Sequence, residues 1–175
     1  MKKILLSALF CGFVLNNSYC FSEWRKISVN YLDGVFSNLV KIRQNTIDTY
    51  DFMITNCAMD LSTMDLSVVV YLSRFKNYMI YNINKIINSN LNKLVSDLLS
   101  SRITSGKNKG KTVYELLMER KFDENTLRTI CCDSLSCNVK QDESRYTIGL
   151  QSRSRMVEIY VPFSYDKPIS SQLCF

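Results

Sequence analysis

The chain contains no histidine, and that absence removes more chemistry than most residues present could add. Ser-His and Cys-His nucleophilic machinery and His-liganded zinc all require an imidazole. Cys131, Cys132 and Cys137 are clustered, but they form no C-x-x-C pair and have no histidine to complete a four-ligand zinc site. No metal and no cofactor are therefore expected. The apolar run at residues 4–15 also stops at about a dozen residues, well short of the roughly 20 that span a bilayer. No Asn-x-Ser/Thr acceptor follows residue 20, which agrees with a bacterial origin.

What is present first assigns a compartment. Lys2 and Lys3 precede the apolar run, and residues 16–20 end in small side chains. This is the pattern of a secretory signal peptide. Cleavage after Cys20 places Ser18 and Cys20 at the two positions that need small residues, so residues 1–20 are expected to be removed and Phe21 to begin the mature chain. Tyr19 ahead of Cys20 argues against a lipoprotein signal. A mature protein of about 155 residues fits a single domain, spanning 21–175. It keeps Cys57, Cys131, Cys132, Cys137 and Cys174, all disulfide candidates in an oxidising compartment. One of the adjacent pair Cys131 and Cys132 can close a short loop to Cys137, which leaves the other to choose between Cys57 and Cys174. Losing Lys2 and Lys3 lowers the formal charge from +6 to about +4, and this mild excess falls short of a nucleic-acid footprint.

Apolar residues then set out the elements. Trp24, Ile27, Tyr31, Val35, Leu39, Ile42, Tyr50, Met53, Ile54 and Cys57 mostly fall at steps of three and four, which predicts a helix over about 24–57 with a bend at Asp33-Gly34. Met64, Val68, Leu72, Phe75, Met79, Ile83, Ile86, Leu91, Leu94, Leu98 and Ile103 predict a second helix over about 63–103, with a weak point at Asn88-Ser89-Asn90. The short segment 60–62 between them favours an antiparallel helical hairpin. Thr112 with Glu115 reads as a capping box opening a helix over 112–121, and Asp123 caps another over 123–132. Residues 145–161 alternate with period two around Ser152-Arg153-Ser154, a β-hairpin that Pro162 terminates. The tail beyond Pro168 reads as irregular. The expected fold is mainly α (α+β): a long antiparallel helical hairpin, two short helices and a C-terminal β-hairpin, stapled by disulfides.

Catalytic patterns are weak. Gly106, Gly110, Lys111 and Thr112 approach a phosphate loop, but only three residues separate the glycines where four are needed, and a helix precedes them rather than a strand. Ser73/Lys76 and Ser164/Lys167 are Ser-x-x-Lys pairs at the frequency expected by chance in a chain of this composition. Asp48 and Asp51 lie one helical turn apart, yet their neighbours Asn45, Thr46 and Thr49 indicate a solvated face, where neither carboxyl gains the raised pKa of a general acid. The stripe Tyr71, Phe75, Tyr78, with Tyr81 nearby, fits core packing against the first helix, with an exposed partner-binding ridge as the competing reading. Arg145, Arg153 and Arg155 around the hairpin tip fit a solvated end, with contact arginines as the alternative.

The sequence thus points to an exported bacterial protein that binds another protein in the periplasm or outside the cell. An inhibitor or immunity protein, a secretion or pilus accessory component and a virulence factor all fall within that class. No nucleic acid and no stable membrane insertion after cleavage are expected. Arg153, Arg155 and Tyr78 are the candidate contacts, and no residue is assigned a catalytic role. The alternatives are an envelope hydrolase using carboxylates and a membrane-anchored periplasmic sensor partner whose apolar start is retained.

Overall fold

The structure, a computed structural model, describes residues 30–59, 66–131, 135–164 and 166–174. The expected signal segment with its cleavage point, residues 24–29, the connection at 60–62 and Cys132 lie outside the described residues. A π-helical stretch, Asn30–Phe36, leads into α1 (Ser37–Met59). It coincides with the bend predicted at Asp33-Gly34, where glycine weakens a regular helix. Within it Leu32 and Phe36 are completely buried and anchor this end of the helix to the core.

Helix α2 (Leu66–Ser100) has 35 residues, about 50 Å of continuous helix. The weak point at Asn88-Ser89-Asn90 does not break it. Buried Ile87 and Leu91 hold both sides of that segment in the core, and Asn90 donates its amide back to the Ile86 carbonyl at 2.9 Å. The helix stops at Ser100 rather than near 103. Ile103 instead enters a loop in which its N–H donates to the Lys111 carbonyl and its carbonyl accepts from Gly110, both at 2.8 Å. Gly106 (φ 75°) and Gly110 (φ 90°) supply the left-handed turns that this closure requires. An ion pair between Lys76 and Asp51 and a 3.1 Å bond from Arg43 Nε to Asn84 Oδ1 set α1 and α2 antiparallel.

Two short helices follow. Helix α3 (Val113–Met118) opens on the Thr112–Glu115 capping box, with both reciprocal bonds formed, so two otherwise orphaned N–H groups find partners. Asp123 caps α4 (Glu124–Ile130) by accepting from the Thr126 N–H at 2.7 Å, which satisfies another of the free donors at a helix start.

The β-hairpin is present as β2 (Arg145–Gln151) and β3 (Met156–Pro162), but it forms the middle of an antiparallel sheet ordered β1-β2-β3-β4. The outer strands are β1 (Ser136–Gln141) and β4 (Ser170–Cys174). The tail is therefore not irregular, because β4 pairs with β3 from Met156↔Cys174 to Tyr160↔Ser170. One sheet face carries buried Tyr146, Ile148, Leu150, Val157, Ile159, Val161 and Leu173. These pack with Ile83, Ile87, Leu91, Leu94 and Leu98 of α2 and with the short helices in one core. A lone hairpin is marginal in water, and the two added strands widen the apolar face that the helices cover.

Cys131 at the end of α4 is bridged to Cys137 in β1. Cys57 and Cys174 are free and half-buried. Neither therefore serves as the partner expected for the second cysteine of the adjacent pair. Burial pushes the Cys174 thiol above its usual pKa, and the nearby Glu158 carboxylate adds to that shift, since both disfavour the thiolate.

Candidate functional site

The helical hairpin projects from the core as an arm. Among the described side chains at 37–58 and 66–82 none is fully buried, whereas the buried residues of α2 begin at Ile83. Val69, Leu72, Lys76 and Ile80 of α2 are half-buried toward α1. With about 3.6 residues per turn, Tyr71, Phe75 and Tyr78 lie around the helix from that seam. Tyr71 and Tyr78 are consequently 65% and 61% exposed, and Phe75 is 38% exposed. This corrects the expectation that the aromatic stripe is core. The rings form a ridge: Tyr71 stacks on Phe75 at 6.2 Å between centroids, and Phe75 meets Tyr78 at 6.4 Å and Tyr50 of α1 at 5.8 Å. Val68 and Ile86, also exposed, extend the same uncharged strip along α2.

The arginine tip sits at the base of the arm. The Ser152 hydroxyl accepts from the Ser154 N–H at 3.3 Å and the Arg155 N–H at 3.1 Å, and these local bonds shape the turn. Ser154 Oγ donates to Asp33 Oδ1 at 2.7 Å and accepts from Ser37 Oγ at 3.2 Å, so the turn is fastened to the start of the helix pair. Side-chain hydrogen bonding from Ser152, then from Ser154, holds the Asp33 carboxyl below its ordinary pKa, with a smaller contribution from the charge of Arg153; each favours the carboxylate over the acid. Arg153 is exposed, while Arg155 is half-buried and its Nε is enclosed without a hydrogen-bond partner among the described residues. Arg145 is not at the tip. It begins β2 at the opposite end of the hairpin, with its guanidinium 4.7 Å above the Tyr160 ring.

Nor is Tyr78 brought to the arginines. The Arg43–Asn84 and Asp51–Lys76 pairs place Tyr78 level with residue 49 of α1. That is about 18 Å along the helix from Ser37, where the tip is fastened.

The carboxylate pair remains on the surface. Asp48 accepts from Gln44 Nε2 at 2.8 Å, Asp51 is engaged by Lys76, and both are exposed. A cavity of about 510 Å³ does exist elsewhere, between the C-terminal half of α2, the start of α3 and strand β4, and no acidic residue among the described ones lines it. Among the described residues no group of three His, Cys, Asp or Glu side chains is placed to hold a metal, and no helix is long and apolar enough to cross a membrane. The cavity escapes sequence reading because its β4 wall is a short polar strand without a strong period, brought beside α2 only by the tertiary fold.

No protein-family model, curated protein or solved structure matches this chain.

Proposed function

We propose that this is an exported bacterial protein that works by binding another protein in the periplasm or outside the cell, with the aromatic ridge of the helical arm as its docking face. The observation that carries this reading is the exposure of Tyr71 and Tyr78 in ring contact with Phe75, on an arm in which no described side chain is fully buried. Tyrosine suits such a face because it contributes a large apolar area and keeps a polar tip in water. Arg153 at the base of the arm is a second, separate contact, and the half-enclosed Arg155 supports the shape of the turn. Export is supported by the basic and apolar start of the sequence. The Cys131–Cys137 bridge fits an oxidising compartment. An inhibitor or immunity protein, a secretion or pilus accessory component and a virulence factor all act in this way.

The reading is tested by capturing the partner from envelope extracts of the producing bacterium and measuring its affinity for variants that have been checked for folding. Tyr71→Ala and Tyr78→Ala are expected to cost about 2 kcal/mol each, roughly thirtyfold in affinity. Asp48→Asn and Asp51→Asn are expected to be silent. Loss of function in either carboxylate variant, with the ridge variants silent, would replace the binder by a hydrolase.

A further inference from the structure

The sheet has two edges, and they are treated differently. The β1 edge carries Lys140, lies beside α4 and is tied to it by the Cys131–Cys137 bridge. The β4 edge, Ser170–Cys174, pairs only with β3 and makes no backbone hydrogen bond beyond the sheet among the described residues. It contains no charge and no proline, and its register runs without a bulge, so it lacks the usual devices that stop an edge from pairing.

The cavity of about 510 Å³ opens beside this edge. That volume is within the range of binding clefts. Val95 and Leu99 of α2 and Ile169 ahead of β4 give it an apolar wall, and Ser96, Ser170 and Tyr114 add hydroxyls. No charged side chain among the described residues lines it.

We infer that this groove accepts an extended, uncharged peptide segment, which adds to β4 as a fifth strand. An exposed edge offers alternating N–H and C=O groups, and a second peptide backbone is the ligand that answers that repeat directly. With α2 standing on the far side of the cavity, the space next to β4 suits one strand at the usual spacing of about 4.8 Å rather than the full sheet of a second copy. Alternate side chains of the incoming segment enter against Val95, Leu99 and Ile169. They must be apolar, since a charge placed there has no counter-charge among the lining residues. The site lies on the body of the protein, uses no residue of the arm, and stands independently of the ridge.

The test is titration of the isotope-labelled full chain with a blocked hexapeptide of alternating threonine and valine, followed through backbone amide resonances. Saturable shifts at residues 169–174 and 95–99 are expected, with the resonances of Tyr71 and Tyr78 unmoved. The fully N-methylated peptide, which cannot donate to β4, and a peptide with lysine in place of valine are each expected to bind at least about tenfold more weakly. Leu99→Trp, which fills the groove, should abolish the shifts at β4. Equal binding of the N-methylated peptide, or no saturable shift at β4 up to millimolar peptide, overturns the inference.

Discussion

Phe36→Ala and Tyr78→Ala remove an aromatic ring from opposite ends of the helix pair and should have very different consequences for stability. Phe36 is completely buried at the point where the arm joins the core, beside Leu32 and 5.9 Å from the Tyr31 ring. An aromatic side chain buries about 150–250 Å². At about 25 cal/mol per Å², with the added cost of an incompletely filled cavity, its loss should amount to about 3–5 kcal/mol. Tyr78 is 61% exposed, and its ring contact is with Phe75 at 6.4 Å. Its truncation should cost no more than about 1 kcal/mol. The assay is urea unfolding followed by far-UV circular dichroism, comparing midpoints at a common slope. A loss of about 3 kcal/mol or more in Tyr78→Ala would show that the ridge is packed in the molecule, and the docking assignment would fall with it.

Three further outcomes follow from the structure. Replacing both Cys131 and Cys137 by alanine opens a loop of sequence separation 6, which chain entropy values at about 2 kcal/mol; peptide mapping should find those two linked and Cys57 and Cys174 alkylated without reduction, and finding Cys131 or Cys137 alkylated instead would contradict the assignment. The Asp33 carboxyl titrates below its ordinary value of 3.8, so its contribution is present above that value and lost as pH falls through the lower folded-state pKa; the Ser154 amide resonance should report release of the turn below about pH 4, whereas release near neutrality would refute the Asp33 link. Tyr146 is 1% exposed, and its hydroxyl, near the Phe122 backbone, makes no hydrogen bond of ordinary geometry among the described residues; Tyr146→Phe should hold or raise stability by up to about 1 kcal/mol, and a loss of that size would reveal an essential bond at that oxygen.

Local signals account for much of the architecture, and their reach explains where they stop. Thr112 with Glu115 and Asp123 mark helix starts because caps are made within a few residues of sequence. The alternation around Ser152 marks β2 and β3 for the same reason. Strand β1 shows a burial sequence without alternation, and β4 is mostly polar. Both are strands because β2 and β3 offer them edges, which is information carried by tertiary pairing. The aromatic stripe reads as core because a period of three and four identifies one side of a helix without saying what that side meets. On α2 the core begins at Ile83, and Tyr71 and Tyr78 meet solvent. Arg145 and Arg153 are close in sequence, yet they stand at opposite ends of β2, because an extended strand advances about 3.3 Å per residue.

The aromatic ridge as a protein-docking face is tested most directly by measuring one captured partner's dissociation constant for the wild-type protein, a Tyr71→Ala/Tyr78→Ala double variant and an Asp48→Asn/Asp51→Asn double variant, all matched for folded content. The ridge variant should bind at least about a hundredfold more weakly, with the carboxylate variant equal to wild type. Wild-type affinity in the ridge variant would contradict the account.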